Sequence, residues 1–143
     1  MSNQTRVLVV DDHALMREGV ASLLASQHDL ELAGKAASGQ QALEMTTALQ
    51  PDLVLMDLTM PGMSGLEATQ HLLETLPDCK VIMLTDRDDE DQLFEAVQYG
   101  AMGYVIKSAA AETLVPMVRR VLRGEAALSG VMAAKMLTAF RLL

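Results

Sequence analysis

The 143-residue chain is long enough to bury one core, and its formal net charge of −8, with 11 lysines and arginines, argues against nucleic-acid binding by this chain alone, since phosphate contacts need clustered cations. No apolar run approaches the roughly 18 residues of a membrane span, and Met1 to Thr5 is short and polar, without a signal-peptide pattern. The single cysteine, Cys79, excludes an internal disulfide and fits a reducing cytoplasm, while 11 methionines against two tyrosines and two phenylalanines predict a core filled by flexible side chains.

Arg6-Val-Leu-Val-Val10 reads as a buried strand ending in the pair Asp11-Asp12. Adjacent carboxylates repel unless a cation or a lysine compensates them. His13 follows and is read as an exposed first-turn residue rather than a metal ligand. The next helix carries Met16, Val20, Leu23 and Leu24 at helical spacing. A weaker second strand spans Leu30 to Ala37, and Ser38 caps a helix that Pro51 stops. Leu53 to Met56 is an unbroken apolar run ending on Asp57, followed by a Pro61-Gly62 turn and by Ser64-Gly65 at the mouth of a helix with Leu66, Leu72, Leu73 and Leu76.

Val81 to Leu84 is a fourth strand, ending on Thr85. The acidic run Asp88-Asp-Glu-Asp91 suits the N-terminus of the helix holding Leu93, Phe94 and Val97. Tyr104-Val-Ile106 is the fifth strand, ending on Lys107. The helix after it contains Pro116, which predicts a late start or a bend there. Gly124 to Gly130 reads as a linker, and Val131 to Leu143 as an amphipathic helix with Met132, Met136, Ala139, Phe140 and Leu143 on one stripe, either a dimer or linker surface or a helix packed back on its own domain.

Five short apolar strands alternating with five helices predict a doubly wound α/β sheet. In a parallel sheet the strand-end residues Asp11, Asp12, Asp57, Thr85 and Lys107 share one edge. Converging carboxylates call for a hard divalent cation with oxygen ligands. Lys107 adds a positive charge and Thr85 a hydroxyl, a set suited to holding a phosphoryl group on Asp57.

Asp11-Asp12, Asp57 with Met60-Pro61 and Gly65, Thr85 and Lys107 together resemble the receiver domain of bacterial two-component response regulators, over roughly residues 5 to 123. Residues 11 to 19, 103 to 107 and 124 to 129 resemble the NarL/FixJ branch, with its LuxR-type output. The resemblance implies a flavodoxin-like sheet of order 2-1-3-4-5, a receiver over 1–123, and a linker with a C-terminal helix over 124–143. It also implies a helix-turn-helix DNA-binding domain that would begin where this chain ends; the chain is then part of a longer regulator or a stand-alone receiver. Asp57 would accept a phosphoryl group from a sensor histidine kinase. Mg2+ or Mn2+ would be held by Asp12, Asp57 and the Thr59 carbonyl, with Asp11 acting through water. Thr85 and Tyr104 would form the switch pair, and phosphorylation would change the surface for dimerisation or partner binding. Thr59, Asp86 and Arg87 are rate-modulating candidates, because an acidic Asp86 departs from the small or apolar residue common after the switch threonine.

A turnover enzyme is disfavoured. Phosphatases of the haloacid dehalogenase type need a second aspartate two residues after the nucleophile, where this chain has Thr59. A flavin carrier would call for Ser, Thr or Gly rather than Asp11-Asp12 after the first strand.

Overall fold

The computed structural model describes residues 4–87, 89–125 and 130–142. Strands and helices alternate as β1 Thr5–Val10, α1 Ala14–Ala25, β2 Leu30–Ala36, α2 Gly39–Leu49, β3 Leu53–Asp57, α3 Gly65–Thr75, β4 Lys80–Thr85, α4 Glu90–Gln98 and β5 Gly103–Ile106. One 3-10 turn, Lys107–Ala109, leads into α5 Ala110–Leu122, and α6 spans Gly130–Arg141. The strands form one parallel sheet of order β2-β1-β3-β4-β5. All five residues of central β3 are buried, as expected of a strand covered on both faces.

Strand alternation divides the core into two layers. Leu8, Val10, Val54, Met56, Val81 and Met83 point to the side of α2, α3 and α4, where Ala42, Ala68, Leu72, Leu93 and Ala96 meet them. Val7, Val9, Leu53, Leu55, Ile82, Leu84 and Val105 point to the side of α1 and α5, against Val20, Leu24, Leu114, Val118 and Val121. Met56 and Met83 are fully buried, so these methionines serve packing. Cys79, just before β4, lies at the sheet edge opposite the ends of β3 and β4. Burial, reinforced by the charge of Asp52, pushes its thiol up to about 12.

Local sequence explains where the helices begin. Ser38 accepts from the Gln41 amide at 3.1 Å, and Ser64 from the Glu67 amide at 3.2 Å. Asp89 caps α4 through the amides of Asp91 and Gln92, and Glu90 and Asp91 fill the first turn, which confirms that acidic run as far as it is described; Asp88 lies outside the described residues. Helix α2 ends on Gln50 in the left-handed region at φ 51°, ahead of Pro51.

Two expectations need correction. Of the late start or bend expected at Pro116, the late start does not occur: helix α5 begins at Ala110 and carries Pro116 at an exposed position, where the carbonyl freed on its account can turn to water. The packing stripe of α6 also differs from the expected one. Ala134, Lys135, Thr138, Ala139 and Leu142 line a cleft of about 460 Å³ with Asp91 and Phe94 of α4, and Phe140 is not among them. The helix packs back on its own domain, and across that contact Lys135 reaches Asp91 at 3.0 Å and Glu90 at 3.5 Å. The Met132 side chain and Leu143 of the expected stripe lie outside the described residues, as does 126–129 of the linker.

Candidate functional site

Each site residue is held by the element it terminates. Asp11 leaves β1 with its amide on the Ala36 carbonyl at 3.0 Å, and its side chain is fully buried. Its Oδ1 accepts the His13 amide at 2.9 Å. Asp57 closes β3 and is also buried, its Oδ1 accepting the Thr59 amide at 3.3 Å. Gly65 makes this placement possible. A Cβ there would stand 2.2 Å from the Asp57 carbonyl oxygen, so only glycine lets α3 start against the end of β3. Gly62, at φ +75°, turns the loop between them.

Lys107, the residue after β5, is buried at the same edge. Its Nζ lies 3.0 Å from Asp11 Oδ2, 3.2 Å from Asp57 Oδ2 and 4.0 Å from Asp86 Oδ1. One lysine thus faces a cluster of carboxylates. Burial, the neighbouring carboxyl of Asp12 and the charge of Asp11 push the Asp57 carboxyl up to about 7, against the opposing pull of Lys107. For Lys107, burial favours the neutral amine, but the two carboxylates outweigh it and hold the ammonium above its ordinary value.

Asp11 Oδ2, Asp12 Oδ1 and Asp57 Oδ2 are buried without a hydrogen-bond partner; Lys107 is near two of them by distance but not in hydrogen-bond alignment. Asp11, Asp12, His13 and Asp57 each offer a ligand atom, all within 4.8 Å of one another. Orphaned buried carboxylate oxygens at that spacing fit a divalent cation. His13 is exposed, as expected, but it is the N-cap of α1 rather than a first-turn residue, and its Nδ1 lies 3.3 Å from both Asp11 Oδ1 and Asp12 Oδ1. Spacing alone could not show this, since the direction of an N-cap side chain depends on the loop.

Thr85 ends β4, buried, and its hydroxyl donates to the Arg87 carbonyl at 2.9 Å. That bond commits it to the β4–α4 loop rather than to the carboxylates. Tyr104 is half-buried and packs on the core layer under α2, α3 and α4. Asp86 and Arg87 are exposed and make no ion pair with each other among the described residues; Asp86 faces Lys107 instead. Thr59 is exposed and contributes its amide to Asp57.

This edge matches a known family along most of the chain: the family model of the response regulator receiver domain covers residues 7–119. The chain is a response regulator receiver. Among curated proteins this receiver is 38% identical over 136 residues to the transcriptional regulatory protein LiaR of Bacillus subtilis, covering 95% of the chain and 64% of LiaR. It is 40% identical over 136 residues to the oxygen regulatory protein NreC of Staphylococcus carnosus, covering 94% of the chain and 63% of NreC. The receiver therefore spans just under two thirds of the length of these relatives. Among solved structures, a LuxR-family two-component response regulator from Aurantimonas superposes with a TM-score of 0.84 at 31% identity, covering 98% of this chain and 99% of that one. The signal receiver domain of the putative response regulator NarL from Mycobacterium tuberculosis gives 0.79 at 31% identity, covering 86% and 99%. The NarL and LuxR branch and the sheet order thus agree with the sequence motifs. No helix among the described residues is long and apolar enough to cross a membrane.

Proposed function

We propose that this receiver is a cytoplasmic, phosphorylation-controlled switch in which Asp57 accepts a phosphoryl group from the phosphohistidine of a sensor histidine kinase. The observation that carries this reading is the buried Lys107 ammonium, 3.0 and 3.2 Å from Asp11 and Asp57 at the ends of β1 and β3. A carboxylate oxygen of Asp57 bonds to phosphorus as the phosphorus–nitrogen bond breaks, and the kinase imidazole leaves with the electron pair. Lys107 balances charge on the transferred oxygens, which a buried site makes more effective than water would. Asp11, Asp12 and Asp57 would hold Mg2+, or Mn2+, with the Thr59 carbonyl as a further candidate ligand. When bound, that ion supplies charge neutralisation for the phosphoryl oxygens.

The switch follows from the Thr85 hydroxyl. A phosphoryl oxygen on Asp57 is a stronger acceptor than the Arg87 carbonyl. Thr85 exchanges one for the other, Tyr104 repacks behind it, and the loop before α4 moves. The changed surface of α4, β5 and α5 alters dimerisation or partner binding. In a longer parent protein of LuxR type, the output is transcription through a DNA-binding domain following 124–143; this acidic chain by itself does not bind DNA. The chain is a phosphoacceptor with slow self-dephosphorylation rather than a turnover enzyme.

Mass spectrometry after incubation with acetyl phosphate and Mg2+ tests the reading. One added phosphoryl group is expected, requiring Mg2+ and absent from Asp57→Asn. A folded wild-type chain that stays unlabelled by acetyl phosphate and by kinases alike would overturn it, leaving a receiver used only as a binding module.

A further inference from the structure

We propose that His13 is a ligand at the acidic edge, so that this site takes a nitrogen-seeking divalent cation such as Zn2+ in competition with Mg2+. The inference rests on the reading of Asp11, Asp12 and Asp57 as a cation site and adds a donor of a different kind. His13 Nδ1 stands 3.3 Å from Asp11 Oδ1 and 3.3 Å from Asp12 Oδ1. Ligands about 2.0–2.2 Å from a tetrahedral Zn2+ lie about 3.3–3.6 Å from one another, so each oxygen already stands from Nδ1 at the spacing of two ligands on one ion. Asp12 Oδ1 is buried and has no hydrogen-bond partner.

The surroundings leave this face open to an ion. His13 caps α1 in an extended conformation, and its side chain makes no capping hydrogen bond, so the imidazole is not committed to the helix. Lys107 approaches the opposite oxygens, Oδ2 of Asp11 and Oδ2 of Asp57, and its Nζ also contacts His13 Nδ1 at 3.5 Å, a contact that a bound cation would replace. The other two histidines lack such a setting among the described residues. His71 faces one carboxylate, Glu74, at 3.9 Å, and His28 has only that of the adjacent Asp29. Imidazole ligation favours Zn2+ and Cu2+ over Mg2+, which takes oxygen and water. His13 therefore sets which metal the receiver holds when both are present.

Isothermal titration of the intact chain with ZnCl2 or MgCl2, on wild type, His13→Ala and His71→Ala, tests this. His13→Ala is expected to weaken Zn2+ binding by at least about tenfold and to leave Mg2+ binding within about twofold; His71→Ala should change neither. Electron spin-echo spectra of bound Cu2+ should show a coordinated imidazole nitrogen in wild type and lose it in His13→Ala. Equal Zn2+ affinity in wild type and His13→Ala, with an unchanged Cu2+ spectrum, would overturn the proposal. Zn2+ binding that depends on His13, without any Mg2+ binding, would support it while failing the phosphorylation reading, so the two are separable.

Discussion

The raised carboxyl of Asp57 predicts a pH dependence. Its folded value of about 7 lies above the ordinary aspartate range, so the folded state holds a proton that the unfolded chain releases near pH 4. Its contribution to stability is therefore full below about pH 4 and is lost as pH rises through about 7, a change on the order of a few kcal/mol. Urea titrations in chelator should show the wild type losing stability over that window. Asp57→Asn should flatten the loss and be the more stable chain at pH 8. Asp86 gives a second prediction. Its carboxylate competes for Lys107 and repels an incoming phosphoryl group, but it is 68% exposed, so the effect is modest. Asp86→Ala should raise the initial labelling rate with acetyl phosphate about two- to fivefold, and equal rates for the two proteins would refute the idea. The strand-end residues of this site were legible in the sequence because a parallel sheet gathers its carboxyl ends on one edge. The Thr85 bond to the Arg87 carbonyl and the seat of His13 were not, because loop backbones rather than residue periodicity direct those side chains.

At the scale of elements, apolar runs and Ser, Asp and Pro punctuation located β1 to β5, α2 and α3 to within a residue or two, and helical spacing found the apolar faces of α1, α4 and α5. Sequence was less informative where tertiary packing overrode it. Pro116 reads as a breaker but sits on the solvent face of α5, and of the described members of the expected α6 stripe only Ala139 lines the cleft against α4. Gln50 is a local conflict of the same kind, a non-glycine residue in the left-handed region at the end of α2. That conformation costs an ordinary residue about 1–2 kcal/mol, part of which a glycine returns as unfolded-state entropy. Gln50→Gly should therefore stabilise the chain by about 0.5–1 kcal/mol in a urea titration. Gly65→Ala should do the reverse, because the added methyl would overlap the Asp57 carbonyl. Labelling of Asp57 should fall with the stability.

In the whole molecule, the acidic edge and the C-terminal helix are joined by a short path. Thr85 bonds the loop before α4, the first turn of α4 carries Glu90 and Asp91, and these hold Lys135 of α6. If phosphorylation withdraws Thr85 from Arg87, the first turn of α4 loosens and α6 is released. Hydrogen exchange in α6 should then quicken after acetyl phosphate treatment, and Lys135→Glu should reproduce the quickening without it. Exchange unchanged in both would separate α6 from the switch. The opposite edge of the sheet supplies an independent reporter. Cys79 is the only thiol, buried and held in its unreactive protonated form, so a disulfide dye added to the native chain should react at the rate at which that edge opens. Dye kinetics with and without phosphorylation would thus time how far a signal written at one rim of the sheet travels toward the other.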